Sequence, residues 1–130
     1  MHTFKDKLLA VELFLLDEMD ITVDYDELGT DEYWIDDKLI TINNSQNKRK
    51  QLYVLLHESG HAILRERKEF PLMCSYANSS HKIETLKEEV FAWEEARRLA
   101  KHLNIDIDQG KWAEHTQVAL TKYVHWVCEK

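Results

Sequence analysis

Residues 57 to 61 read His57-Glu58-Ser59-Gly60-His61, an H-E-x-x-H run whose residue types and spacing point to one kind of chemistry. Positions four apart on an α-helix lie one above the other, so His57 and His61 present two imidazoles to a single ion. Glu58 follows the first histidine and projects beside that ion. There a carboxylate takes a proton from a water acidified by the metal and passes it to a leaving group. The run predicts a zinc-binding helix with hydrolytic chemistry, in which His57 and His61 are ligands and Glu58 is the general base. The competing explanation is accident on a solvated helix face, and the flanks oppose it. Val54-Leu55-Leu56 precede the run, Ala62-Ile63-Leu64 follow it, and Ser59 and Gly60 within it are small and uncharged. Polar side chains in so apolar a stretch need partners, and a metal serves two histidines at this spacing.

A catalytic zinc takes three protein ligands and keeps a fourth position for water, so the histidines need a partner from elsewhere. The segment from Glu84 to Ala96 offers Glu84, Glu88, Glu89, Glu94 and Glu95. Read as a helix, it puts Glu89 in line with Ala92, Ala96 and Ala100, a ridge of small side chains that permits close approach to the histidine helix, where Gly60 also removes bulk. Glu88 lies on a bulkier row with Phe91, Glu95 and Leu99. Glu89 is therefore the expected third ligand, with Glu88 and Glu95 as alternatives. Most of the five glutamates are expected to form a solvated face that pairs with Arg97, Arg98 and Lys101. His81, His102, His115 and His125 stand as rival ligands at positions where surface or capped-core roles are more common.

The elements that must position these residues follow from the apolar pattern. Phe4 to about Glu18 carries Leu8, Leu9, Val11, Leu13, Phe14, Leu15 and Leu16, which predicts a helix largely buried in its second half. Ile21 to Tyr25 alternates with a period of two and reads as a strand, with a turn at Leu28-Gly29-Thr30. Tyr33-Trp34-Ile35 and Leu39 to Asn43 flank the polar Asp36-Asp37-Lys38 and read as a hairpin, giving a sheet of about three strands. Asn44 to Asn47 supplies a polar loop and a candidate N-cap for the histidine helix, predicted from about Lys48 to Arg67. Phe70-Pro71 ends that helix, and 72–81 is expected to be a connection bordering the cleft. Two more helices are predicted, from Lys82 or Ile83 to Leu103 and from Asp108 or Gln109 to Cys128. The fold class expected is α+β, helix-rich with a small three-stranded sheet and the H-E-x-x-H run on its active-site helix.

The 130 residues, 44% of them hydrophobic, fit one domain over 1–130 with room for a sizeable core. The opening residues lack the long uncharged run of a signal peptide or membrane span, so a cytoplasmic location is expected. Cys74 and Cys128 fit no C-x-x-C pattern and are expected as reduced thiols, either of them a small buried hydrophobe. A net charge of −7 disfavours direct binding to nucleic acid. Lys48-Arg49-Lys50 and Arg65-Glu66-Arg67-Lys68 are locally basic and are read as solvated helix ends rather than as a nucleic-acid footprint.

From about Tyr33 to Ala100 the chain resembles the zincin metallopeptidases of the gluzincin kind, and among them the small ImmA/IrrE-like proteins of bacteria and their mobile elements. The resemblance rests on a strand, Leu39 to Asn43, that leads through the basic Lys48-Arg49-Lys50 into the H-E-x-x-H helix, and on Glu89-Val90-Phe91-Ala92 as the E-x-x-A element of the next helix. It implies Zn2+ as cofactor, Glu58 as base and Glu89 as third ligand. One departure is Glu95-Ala96-Arg97-Arg98-Leu99-Ala100, the string closest to the family's Glu-Ala-Asn-x-Phe-Ala, a register that moves the ligand to Glu95. Relatives often carry a helix-turn-helix domain or act beside a repressor; here any repressor is expected to be a separate partner, and a phage origin fits by analogy.

The leading expectation is a zinc-dependent metallopeptidase acting on a protein or peptide substrate such as a repressor or other regulator, with no membrane partner. An extended substrate is expected to add its backbone to the strand Leu39 to Asn43. Tyr76, His81, His115, Tyr123 and His125 are the candidates for stabilising an oxyanion, and the loop from Phe70 to His81 for specificity. The alternative is a catalytically silent zincin-fold protein that binds a regulator or host protein. A purely structural zinc is disfavoured, since such a site closes with four protein ligands and has no use for Glu58.

Overall fold

The computed structural model of the protein describes residues 3–68 and 79–129, and within them the fold is α+β and rich in helix. The chain runs α1 (Phe4–Met19), β1 (Thr22–Asp26), β2 (Glu32–Trp34), β3 (Leu39–Asn43), α2 (Lys48–Glu66), α3 (Ser79–His102) and α4 (Gln109–Cys128). Helix α2 is capped from the polar loop the sequence marks, where Asn47 accepts from the Lys50 backbone N–H, and α4 is capped by Asp108, which accepts from that of Lys111. Helix α1 ends where Asp20 turns into the left-handed region at φ 56° and its N–H reaches back to the carbonyls of Leu15 and Leu16.

The sheet is mixed, in the order β1-β3-β2. β3 pairs in parallel with β1 and antiparallel with β2, with Ile40 opposite Val23 on one side and Tyr33 on the other. The β2–β3 hairpin and the number of strands agree with the sequence. The place of the strand Leu39–Asn43 does not agree with its expected role. It lies in the middle of the sheet with both edges paired, so its backbone has no free groups to offer a substrate. β1 and β2 are the edge strands, and it is β2 that borders the cleft described below.

Alternation along β3 buries Ile40 and Ile42 against the helices, where they meet Leu52, Leu55 and Leu56 of α2 and Val11 and Leu15 of α1. On α1, burial is confined to Leu8, Val11, Leu15 and Met19, a single stripe at helical spacing. Leu9, Leu13 and Leu16, expected in the core, remain about half exposed on the other face. The density of leucine hid this stripe, because apolar residues fill both faces of α1 while only one has a partner. Helix α3 begins three residues before the earliest predicted start, within the stretch read as a connection; Ser79 to Lys82 has no apolar period, but extending an existing helix by a turn costs little. Cys128 is exposed rather than buried. Cys74, Tyr76 and positions 70–78 of the loop expected to set specificity lie outside the described residues. Among the described residues no helix is long and apolar enough to cross a membrane.

The tightest helix contact joins α2 to α3 at Gly60. A Cβ added there would sit 2.1 Å from the Ala92 carbonyl oxygen and 2.9 Å from its carbon. The obstruction is backbone, so no side-chain rotation relieves it. Gly60→Ala would therefore drive the helices apart, at an overpacking cost of about 1–3 kcal/mol that exceeds the helix-propensity gain of roughly 1 kcal/mol. At Gly110, near the start of α4, the nearest atom is the Asp108 Oδ1 at 3.5 Å and a methyl group is accommodated. Thermal melts are expected to place the Tm of Gly60→Ala below that of the wild type by roughly 4–8 °C and that of Gly110→Ala at or slightly above it. Equal shifts for both would contradict the close approach.

Candidate metal centre

The contact at Gly60 decides how α2 and α3 face each other. His57 and His61 lie on the face of α2 turned towards α3, and Glu88, Glu89, Ala92 and Trp93 lie on the opposing face of α3. Glu89 bridges the two rings: His57 Nε2 is 2.8 Å from Glu89 Oε2, and His61 Nε2 is 3.0 Å from Oε1. One donor atom from each of His57, His61 and Glu89 lies within 4.8 Å of the others, so the three could hold a metal ion. A tetrahedral ion bonded at ~2.0–2.1 Å sets its donors about 3.3 Å apart, close to the two His–Glu89 separations of 2.8 and 3.0 Å. Two imidazole nitrogens and one carboxylate oxygen are a donor set suited to a transition metal, so the residues present fit one.

Each ring is fixed from a second side. The Nδ1 of His61 donates to Glu88 Oε2 at 2.7 Å, and Arg65, one turn further along α2, holds the same carboxylate at 3.1 Å. A proton held on Nδ1 by Glu88 would leave Nε2 as the nitrogen free for a metal, the tautomer that a ligand requires. His57 stacks on Trp93, with ring centres 4.1 Å apart and planes 8° from parallel. Trp93 in turn meets Trp112 and His115 edge-on, at 5.3 and 5.4 Å. Glu58 is buried, its carboxylate 3.2 Å from His57 Nδ1. Among the described residues it makes no hydrogen bond that would turn it away from the cleft.

Burial by itself would push the His61 imidazole down, but its hydrogen bonds to Glu88 and Glu89 outweigh that and raise it to about 10. His57 is raised in the same way, by Glu58 and Glu89 against the pull of burial. Glu89 is held well below the usual carboxylate range: burial opposes this, and the bonds to His57 and His61 prevail. Protons and a cation compete for the same lone pairs here, so metal uptake releases protons.

Of the alternatives left open by the sequence, Glu88 faces the outer nitrogen of His61 rather than the converging Nε2 atoms. Glu95 is turned away and pairs with Arg67 at 2.9 Å and with Arg98. The solvated face expected for most of the glutamates is confined to Glu84 and Glu94, because Glu88, Glu89 and Glu95 are buried. Arg65 and Arg67, at the end of α2, are partners that spacing along α3 alone could not reveal, whereas Arg98 is one that it did. The stacking role of Trp93 was also missed; its signal was position 89 plus four, directly above the carboxylate that meets His57. The remaining histidines are dispersed, with His102 against Phe14, His81 against Trp126, and His125 exposed. His115 alone among them lines the cleft beside the centre, and burial together with the nearby His57 lowers its pKa.

The centre opens on a cleft with two halves, of about 650 and 710 Å³, that meet at Glu58, Glu89 and Tyr123. Tyr123, on α4, places its hydroxyl against Glu89. Burial first, then the charge of Glu89 and the bond to it, push the phenol far above its usual range, so the hydroxyl keeps its proton.

Elemental analysis after metal resupply is expected to give about one transition-metal ion per chain in the wild type, none in His61→Ala, and strongly reduced content in Glu89→Ala. Glu88→Gln should weaken metal affinity about 10–100-fold by releasing His61 Nδ1, and Glu95→Ala should leave it unchanged. Metal loss in Glu95→Ala with Glu89→Ala unaffected would reverse the assignment. Compared with protein-family models, curated proteins and solved structures, the chain matches none.

Proposed function

We propose that the protein is a zinc-dependent metallopeptidase that hydrolyses a peptide bond in a protein substrate. His57, His61 and Glu89 hold the ion and Glu58 is the general base. The observation that carries this is the convergence of both Nε2 atoms on the two oxygens of Glu89, with the carboxylate of the next residue, Glu58, lining an open cleft beside them. Two histidines and one glutamate, with a side left open, form the ligand set of a catalytic zinc rather than of a structural one. When bound, zinc would supply a Lewis acid that acidifies a water and polarises a carbonyl.

The chain's own groups do the rest. Glu58 accepts the proton at its carboxylate and returns it to the departing amine. Glu88 and Trp93 keep the two imidazoles oriented, one by a hydrogen bond and the other by stacking. Tyr123 holds a proton on its phenol oxygen where the two halves of the cleft meet, placed to donate to an oxyanion. The open edge of β2 borders the same cleft and can pair with an extended substrate. The resemblance of the H-E-x-x-H run and of the Glu89 E-x-x-A element to ImmA/IrrE-like metallopeptidases supports the same reading, with a repressor or other regulator as the substrate class.

A second reading has an observation in its favour. Glu58 lies 3.2 Å from His57 Nδ1, a place from which a carboxylate orients a ligand instead of moving protons. On that reading the protein holds a metal and binds a regulator without cutting it. One substitution separates the two. Zinc-loaded wild type, incubated with a proteome-derived peptide library, should generate new termini detectable by mass spectrometry. Glu58→Gln should retain metal and Tm while the rate falls about 10²–10⁴-fold. Cleavage at the wild-type rate by Glu58→Gln, or loss of its metal, would remove Glu58 from the role of base.

A further inference from the structure

The two halves of the cleft differ in chemistry. The half between the first turns of α2 and α4 carries Arg49, Lys50, Lys111 and Lys122. None of the four has an ion pair among the described residues. Apart from the metal cluster, the acidic residues on that side are Asp31 and Glu114. Asp31 accepts from Gln46 Nε2 at 3.0 and 3.1 Å and from the Asn43 N–H at 2.8 Å, neutral donors that hold its carboxylate in place. In a chain of net charge −7, four unpaired cations gathered on two facing helices are a local concentration of positive charge. Inside the groove burial first, then His57, Lys50 and Lys122, lower the pKa of His115, and Asp31 opposes them. The other half presents Tyr33 and Ile35 from beside the open strand edge and Trp126 from α4; its buried Arg65 is already engaged by Glu88.

We infer that the cleft accepts an extended peptide with acidic side chains on one flank of the reacting bond and a large apolar side chain on the other. The inference rests on the peptidase reading and names its substrate class. Glu58, Glu89 and Tyr123 mark the junction, so a backbone crossing the metal centre passes from cationic walls to aromatic and aliphatic ones. Unpaired lysines and arginine gain most from a partner that brings carboxylates, and Glu58, Glu89 and Glu114 along the same groove oppose a continuous polyanion such as a nucleic-acid backbone. An acidic peptide with an apolar end satisfies both halves.

The test uses zinc-loaded Glu58→Gln protein and three fluorescein-labelled decapeptides with the same apolar half. The other half is acidic, neutral or lysine-bearing. Anisotropy titrations should show the acidic peptide binding at least tenfold tighter than the other two, with the margin shrinking as salt rises. Adding Lys111→Glu with Lys122→Glu should abolish or invert the preference while metal content and Tm stay the same. Lys5→Glu with Lys101→Glu, an equal change in net charge away from the groove, should preserve it. Undetectable binding of the acidic peptide, equal binding of all three, or tighter binding by a decathymidylate strand that displaces the peptide overturns the inference. Wild-type cleavage of library peptides with no acidic preference overturns it and leaves the peptidase reading standing. If the binding preference holds and nothing is cleaved, the peptidase reading fails and the groove remains a recognition site for acidic peptides.

Discussion

The backbone contact between Gly60 and Ala92 governs how the histidine and glutamate side chains of the candidate metal centre are arranged. A glutamate reaches only three bonds from its Cα, so one helix can place a carboxylate on the imidazoles of another only if the two backbones nearly touch. The ridge of Ala92, Ala96 and Ala100, buried throughout, and the missing side chain at Gly60 provide that approach. Once the distance is set, the helical period does the rest. Glu88 and Glu89 are neighbours in sequence, yet they meet different atoms: Glu89 lies between the converging Nε2 atoms, and Glu88 lies on the outer Nδ1 of His61 and on Arg65.

The same proximity creates an electrostatic problem. Glu58, Glu88 and Glu89 are all largely removed from water, and isolated buried carboxylates are strongly destabilising. Arg65 offsets one, and the imidazoles offset the others when they carry protons, which is why His61 is raised to about 10. Two imidazolium protons and one divalent ion carry the same charge. Exchanging those protons for such an ion would therefore leave the charge balance of the buried cluster unaltered.

The sequence disclosed what local period and chemistry control. The H-E-x-x-H spacing, the Asn47 cap, the hairpin and the small-residue ridge through Glu89 are properties of single segments. What it withheld depends on partners from elsewhere in the chain. Glu95 stands as an alternative ligand until Arg67, at the end of the preceding helix, is brought beside it. Seven apolar residues in α1 cannot announce which stripe meets β3, and the burial of Leu8, Val11, Leu15 and Met19 follows from where that strand lies. Strand order is likewise non-local. β3 occupies the centre because β1, arriving from α1, pairs with its far edge in parallel, a connection invisible to any pattern of alternation.

Helix α4 is the element whose role is least evident from its composition, since Trp112 is its one fully buried side chain. Its contribution is carried by rings. Trp112 meets both Tyr53 of α2, at 5.0 Å, and Trp93 of α3, which is itself stacked on His57. At the other end the Lys82 ammonium lies 5.3 Å from the Trp126 ring and donates to its carbonyl oxygen. Between these anchors α4 presents Lys111, His115, Lys122 and Tyr123 to the cleft. A wall tied to the histidine helix through an aromatic stack moves with His57 and His61. The groove and the histidine–glutamate cluster are therefore aligned by one set of contacts, while the sheet and α1 support them from behind.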